Sequence, residues 1–266
     1  MGIVNVTPDS FAESTRTYDP GAAIDAALRI EADGADLIDI GAESTRPGAA
    51  PIDADEELRR LLPVLRGLAG RLRIPVSVDT YKADVARAAL EHGAVIINDV
   101  SGLQRDPALG AVVGRAGAAI VIMHTRGTSA DMYARARYDD LIGEIAGELR
   151  NGVQCAVAAG VALERVIVDP GIGFAKRPEH SYGVLARLPE LASALGRPLL
   201  VGPSRKSFLS GASGQADPTA RDWGTAAAVT AAVLGGAHIV RVHAVAEMMQ
   251  VVRAAEEIRR HQASGG

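Results

Sequence analysis

Apolar residues along the 266-residue chain gather into short runs that recur at similar intervals. Each run meets a polar or glycine break and then a longer stretch with apolar positions at i, i+3 and i+4. The runs are Gly2 to Val6, Asp36 to Ile40, Ile74 to Val78, Ala94 to Ile97, Ala118 to Met123, Val166 to Val168, Pro198 to Val201 and Ala237 to Val242. Their aliphatic, unalternating character suits parallel strands covered on both faces. The periodic stretches predict helices over Ala22 to Ala32, Asp55 to Leu72, Lys82 to Glu91, Pro107 to Arg115, Tyr138 to Ala159, Glu179 to Leu195, Thr219 to Leu234 and Val245 to His261. Eight strands alternating with eight helices predict an α/β protein, a single (βα)8 TIM barrel, with an open doubly wound sheet as the alternative. No Pro/Ser tract or charge block divides the chain, so residues 1–266 read as one domain.

In such a barrel the site is assembled where the strands end. The residues there are Asn5-Val-Thr7, Glu43-Ser-Thr-Arg46, Asp79-Thr80, Asn98-Asp99, His124, Asp169, Ser204-Arg-Lys206 and Arg241-Val-His243. They separate by chemistry. Asp79, Asn98 and Asp169 can accept from ring N–H and amino groups and, through the amide, donate, which suits a polar heterocycle. Arg46, Arg241 and His243, with the hydroxyls of Ser44 and Thr45, match an anion such as phosphate or diphosphate. Arg241 and His243 are two apart and point to one face. Taken singly, each arginine is equally a surface ion-pair partner. Asp169, ending an apolar strand before Pro170, Gly171 and Gly173, reads either as part of a pocket floor or as a cap on a tight turn. His124 reads as a core histidine bonded to backbone.

Composition narrows the classes. Hydrophobic residues make up 48% of the chain and aromatics 3%, so the core is built from Ala, Val, Leu and Ile. A net charge of -4 offers no basic field for nucleic acid or an anionic membrane. The single Cys155, expected to be a small buried or half-buried helix residue, excludes a disulfide framework and fits a reducing cytoplasm. No apolar run approaches the roughly 18 residues of a membrane span, and no charged leader precedes an apolar stretch. A cytoplasmic protein is expected. There is no His-x-x-x-His, no cysteine pair and no Gly-x-Gly-x-x-Gly after a strand. Lysine is confined to Lys82, Lys176 and Lys206.

Seven motifs then coincide: Met1-Gly-Ile-Val-Asn-Val-Thr-Pro-Asp-Ser-Phe11, Asp39-Ile-Gly-Ala-Glu-Ser-Thr-Arg-Pro-Gly48, Val78-Asp-Thr-Tyr-Lys82, Ile97-Asn-Asp99, Asp169-Pro-Gly-Ile-Gly-Phe174, Gly202-Pro-Ser-Arg-Lys-Ser-Phe208 and Arg241-Val-His243. In order and across almost the whole chain, they resemble the dihydropteroate synthase family of bacterial folate synthesis. The resemblance implies a transferase that joins 6-hydroxymethyl-7,8-dihydropterin diphosphate to p-aminobenzoate, releasing diphosphate. It implies pterin contacts by Asp79, Asn98, Asp169 and Lys206, and diphosphate and Mg²⁺ handling by Asn5, Thr45, Arg46, Arg241 and His243, with Asn5 as the metal contact. It further implies p-aminobenzoate contacts by Thr45, Pro47, Phe174, Lys206 and Ser207, with the carboxylate near a helix N-terminus. Arg46, Lys206, Arg241, His243 and Glu13 are the catalytic set so implied. Sulfonamides are implied as competitive ligands and a homodimer as the assembly.

Two departures stand out. The family continues Asp-Ser-Phe with Ser-Asp-Gly-Gly, where this chain has Ala12-Glu13-Ser14-Thr15, so slower loop closure is expected. Pro203 stands where the lysine motif usually has threonine, which stiffens the turn. The chain starts inside its first strand, leaving room for upstream residues. Rival readings are a methyltetrahydrofolate-dependent corrinoid methyltransferase, which needs neither Ser-Thr-Arg nor Ser-Arg-Lys-Ser, and a pterin-binding relative impaired in its first loop.

Overall fold

The computed structural model describes residues 1–7, 19–44 and 48–264. Among these, eight strands succeed one another: β1 (Gly2–Asn5), β2 (Ile38–Gly41), β3 (Val76–Asp79), β4 (Ile96–Asp99), β5 (Ala119–Met123), β6 (Val166–Asp169), β7 (Leu200–Val201) and β8 (Ile239–Val240). β1 to β6 form one parallel ladder in sequence order, and β7 pairs with β8. Single bridges Val168↔Leu199 and Gly2↔Val242 join these pieces on both sides and close the ring. The fold is therefore the expected (βα)8 barrel, since an open sheet would leave β1 and β8 apart.

The helices are α1 (Pro20–Ala32), α2 (Ala54–Leu68), α3 (Ala83–Glu91), α4 (Leu109–Ala116), α5 (Leu141–Ala158), α6 (Pro178–Ala186), α7 (Leu188–Leu195), α8 (Leu209–Ser213), α9 (Asp222–Leu234) and α10 (Val245–Ser264). Carboxylate caps start several of them: Asp53 accepts from Glu56 N at 2.8 Å ahead of α2, and Asp140 caps α5. Three differences from the sequence reading have local causes. The expected Glu179 to Leu195 helix breaks at Arg187, because Pro189 has no N–H to continue the ladder. The expected Thr219 to Leu234 helix begins at Asp222, after a 3₁₀ turn over Pro218–Arg221. Cys155 is exposed, lying on the side of α5 away from its buried stripe of Ile142, Ile145, Ala146 and Leu149.

Apolar contacts hold the barrel from outside and from inside, with a further outer set of Val229, Val233, Val242, Val245 and Met248 where the ring closes. Outward-facing Ile38, Ile40, Val78, Ile97, Ile120, Ile122 and Val168 pack on helix residues such as Leu61, Val85, Ile145 and Leu149. Inside, Met1, Ile96, Val121 and Leu200 make a small plug with Ala119, Ile167 and Ile239. The register sets the level above that plug. Asn5 pairs with Gly41, Gly41 with Asp79, and Asp79 with Asn98, so three polar residues meet on adjacent strand ends. Gly41 leaves room in that row, since a Cβ there would stand a tight 3.3 Å from Asp79 Cβ. Among the described residues no helix is long and apolar enough to cross a membrane.

Candidate active site

The barrel centre above the plug is a charged floor. Asp39, fully buried on β2, accepts from Asn98 Nδ2 at 3.0 Å and from Arg241 Nε at 2.6 Å. Arg241 also reaches Asp79 with Nη2 at 3.1 Å. One guanidinium thus ties two carboxylates, and the backbone of Arg241 is itself fixed by donation to Val201 O at 3.0 Å. Asp39 Oδ1 and Asn98 Oδ1 are buried acceptors without a partner, a costly state unless a ligand donates to them.

Asp169 stands on the next side, its Oδ1 accepting from Gly171 N at 2.7 Å. Lys206 comes over from the β7 loop, bonded to Ile172 O and with Nζ 4.6 Å from the Phe174 ring centre. Burial pushes the Asp79 carboxyl up to about 8 against the pull of Arg241, with Asp39 adding to the rise. Burial likewise raises Asp169, opposed first by Lys206, and pulls Lys206 down to about 8, opposed by Asp169. Arg241 feels the same burial, but Asp39 and Asp79 outweigh it and hold the guanidinium firmly charged. The floor therefore offers acceptors, an amide and a tunable amine beside an aromatic edge.

Of the expected contacts, Asp79, Asn98, Asp169, Lys206 and Arg241 converge here, and Phe174 joins through Lys206. Arg241 sits on floor carboxylates and not on the rim where an anion was expected to meet it. His243 is on the rim, its Nδ1 2.9 Å from Ser204 Oγ, which also accepts from His243 N at 3.2 Å. Asn5 ends β1 at the level of the floor, and exposed Ser207 precedes α8, a helix of 5 residues. Glu13, Thr45, Arg46 and Pro47 lie outside the described residues.

Three mouth residues do other work. Arg205 turns away to a bidentate bond with Asp222 at 2.8 and 2.7 Å, securing the loop to α9. Asp99 accepts from Ser101 N and closes its own turn. Glu43 is held by Tyr81 at 2.9 Å and by Lys82, which also bonds buried Glu57. His124 is buried as expected, but its ring partner is the Lys176 amine and not backbone, because the chain after Gly173 folds beneath it. A cavity of about 250 Å³ on the β3 to β5 side shares Ser44 and Phe174 with the expected contacts and none of the floor residues.

Asp39 was not among the expected contacts. Its signal was present: a carboxylate inside Leu37-Ile38-Asp39-Ile40 is costly unless a cation meets it.

Fold and floor place the chain among barrel enzymes that grip a polar heterocycle at the strand ends. A family model described as pterin binding enzyme matches residues 1–243. The chain is 46% identical over 260 residues to a Synechocystis dihydropteroate synthase, covering 98% of this chain and 90% of that one. A Clostridium difficile dihydropteroate synthase, solved in the presence of pteroic acid, superposes with TM-score 0.90 at 41% identity, covering 97% and 95% of the two chains. The Xanthomonas albilineans dihydropteroate synthase with 4-aminobenzoic acid superposes with TM-score 0.90 at 40% identity, covering 97% and 92%. The chain belongs to the pterin binding enzyme family.

Proposed function

We propose that the chain is a transferase of folate synthesis, condensing 6-hydroxymethyl-7,8-dihydropterin diphosphate with p-aminobenzoate to give 7,8-dihydropteroate and diphosphate. The observation that carries this reading is the Asp39–Asn98–Asp79–Arg241 floor, with two buried acceptors unpaired, next to Asp169, Lys206 and Phe174. Such a set complements the donor edge of an aminopyrimidinone ring and leaves an aromatic slot beside it.

In this reading the bond between the pterin methylene carbon and the diphosphate oxygen breaks first, and the electron pair leaves with diphosphate. The pterin ring delocalises the resulting cation, the aniline nitrogen attacks it, and a proton leaves that nitrogen. No protein nucleophile is needed. Asp79, Asn98 and Asp169 orient the ring, and Lys206 holds the pterin edge against Phe174. His243, steadied by Ser204, and Asn5 act on the leaving group, and the resemblance adds Thr45 and Arg46 to that role and Glu13 to the catalytic set. Arg241 acts on the pterin side of this division, through Asp39 and Asp79. Ser207 lies on the p-aminobenzoate side, to which the resemblance also assigns Thr45 and Pro47, and there sulfonamides would compete.

The Mg²⁺ implied by the resemblance fits as a companion of the diphosphate. No described cluster of three His, Cys, Asp or Glu side chains could hold a metal, and Asn5 offers one neutral carboxamide oxygen. Mg²⁺ usually keeps waters and binds substrate phosphates, so Asn5 would hold it jointly with diphosphate oxygens, where it supplies positive charge to the leaving group.

We also propose cytoplasmic location and a homodimer. Support for the latter comes from the resemblance, and Trp223 at the start of α9, 89% exposed, is a place to probe it. Incubating the purified chain with both substrates and Mg²⁺ should yield dihydropteroate and diphosphate. Pterin binding without turnover would point instead to the impaired relative.

A further inference from the structure

Lys176 has no part in the reaction scheme above, yet it is 1% exposed and among the largest fully buried side chains. Burying an amine that completely requires fixed acceptors. It has two: Phe174 O at 3.1 Å and His124 Nδ1 at 2.8 Å. His124 is 2% exposed, and burial followed by the Lys176 charge lowers its pKa to about 4, so the imidazole is neutral near pH 7. With the Lys176 amine donating, Nδ1 accepts and the single imidazole proton is assigned to Nε2. That nitrogen is 3.1 Å from Glu148 Oε2, close enough to pair electrostatically without the alignment of a hydrogen bond. Glu148 is in turn held by Arg126.

This chain of contacts runs beneath the loop after β6. The loop is already fastened to the β5 side by His124 N donating to Asp169 O at 2.8 Å and by Tyr138 Oη donating to Ala175 O at 2.8 Å. Ala175 holds a φ of 47°, a strained value for a residue with a Cβ, so the segment is over-determined there. The Lys176 bond differs from the others in its target: it grips the carbonyl of the residue whose ring meets Lys206.

We propose that Lys176 is a positioning residue for the p-aminobenzoate half of the site: seated on His124, it fixes the Phe174 backbone and so holds that ring against Lys206. The inference rests on the reading of Phe174 and Lys206 as p-aminobenzoate contacts.

The test compares steady-state kinetics and pterin calorimetry for Phe174→Ala, Lys176→Met, His124→Leu and His124→Asn. Met keeps the length of the lysine stem and removes its donors, while Asn places an acceptor where Nδ1 stood. Lys176→Met and His124→Leu should each raise KM for p-aminobenzoate about tenfold, the size of one lost buried contact, with kcat and pterin Kd within about twofold of wild type. His124→Asn should restore most of the lost KM. If Phe174→Ala raises KM while Lys176→Met and His124→Leu leave it unchanged, the inference is overturned and the slot reading stands. Equal losses in KM, kcat and pterin affinity would show general collapse and overturn it too. If Phe174→Ala itself leaves KM unchanged, the slot reading fails and the inference falls with it. Should Lys176→Met not fold, the contrast between His124→Leu and His124→Asn decides the question.

Discussion

At Asp169 a change of one atom separates a ligand contact from a cap. Asp169→Asn keeps the shape but replaces an acceptor by a donor beside Gly171 N and the pterin edge, so pterin affinity should fall by about 1 to 3 kcal/mol. Calorimetry giving wild-type affinity would remove Asp169 from the floor. Arg241 calls for a different expectation from a rim arginine. Because it is bonded to both Asp39 and Asp79, Arg241→Ala strands the buried Asp39 carboxylate and frees its half-buried neighbour Asp79, and we expect pterin binding to be lost together with roughly 3 kcal/mol of stability. A urea midpoint equal to wild type, with pterin binding kept and only turnover lost, would return Arg241 to the diphosphate side.

Among the elements, the β6 loop is closely constrained at Gly171. Gly171 holds a φ of 66°, and a Cβ there would lie 2.0 Å from His124 O, a backbone atom that cannot swing aside. Gly171→Ala should cost roughly 2 kcal/mol or more and displace Asp169 and Phe174 together, read as parallel losses in pterin and p-aminobenzoate affinity. The strands themselves were legible, since runs such as Val166 to Val168 and Ala118 to Met123 are too short and too aliphatic to read otherwise. The break at Arg187 was missed, although the absent N–H of Pro189 was the signal for it. What the residue string hides is pairing across distance: Asp39 meets Arg241 across 202 positions, and only barrel closure brings β2 and β8 to face each other. Asp79, Asn98 and Asp169 could be grouped in advance because each ends its own strand. Asp39 lies one layer lower, where strand-end logic does not look. The seat of His124 was missed because Lys176 arrives through a glycine turn whose direction local periodicity does not encode.

Over the whole molecule, buried Lys176 and half-buried Lys206 tie stability to pH. Burial lowers Lys176 to about 7 from its ordinary 10.5, opposed by Asp169 and reinforced by Lys206. Between those values the unfolded chain binds a proton that the folded chain lacks, so this group makes stability rise with pH across that window and level off below it. Lys206 adds the same sign above about 8. Urea midpoints at pH 6.5 and pH 9 should therefore favour the alkaline side more in wild type than in Lys176→Met; parallel shifts would mean Lys176 keeps an ordinary pKa. Assembly can be read at Trp223: sedimentation should find a dimer, weakened at least tenfold by Trp223→Glu, which places a charge where an apolar contact is expected. The separation of the barrel's inner plug from its outer shell carries a different consequence. The plug of Met1, Ile96, Val121 and Leu200 lies directly below the charged floor, while the strand-to-helix shell shares none of those residues. Adaptation to a hotter or colder habitat can accordingly proceed through the shell, exchanging Ala, Val and Leu on the helices, while the recognition chemistry drifts independently. In a set of relatives from different climates, melting temperature should track shell volume and pterin affinity should not.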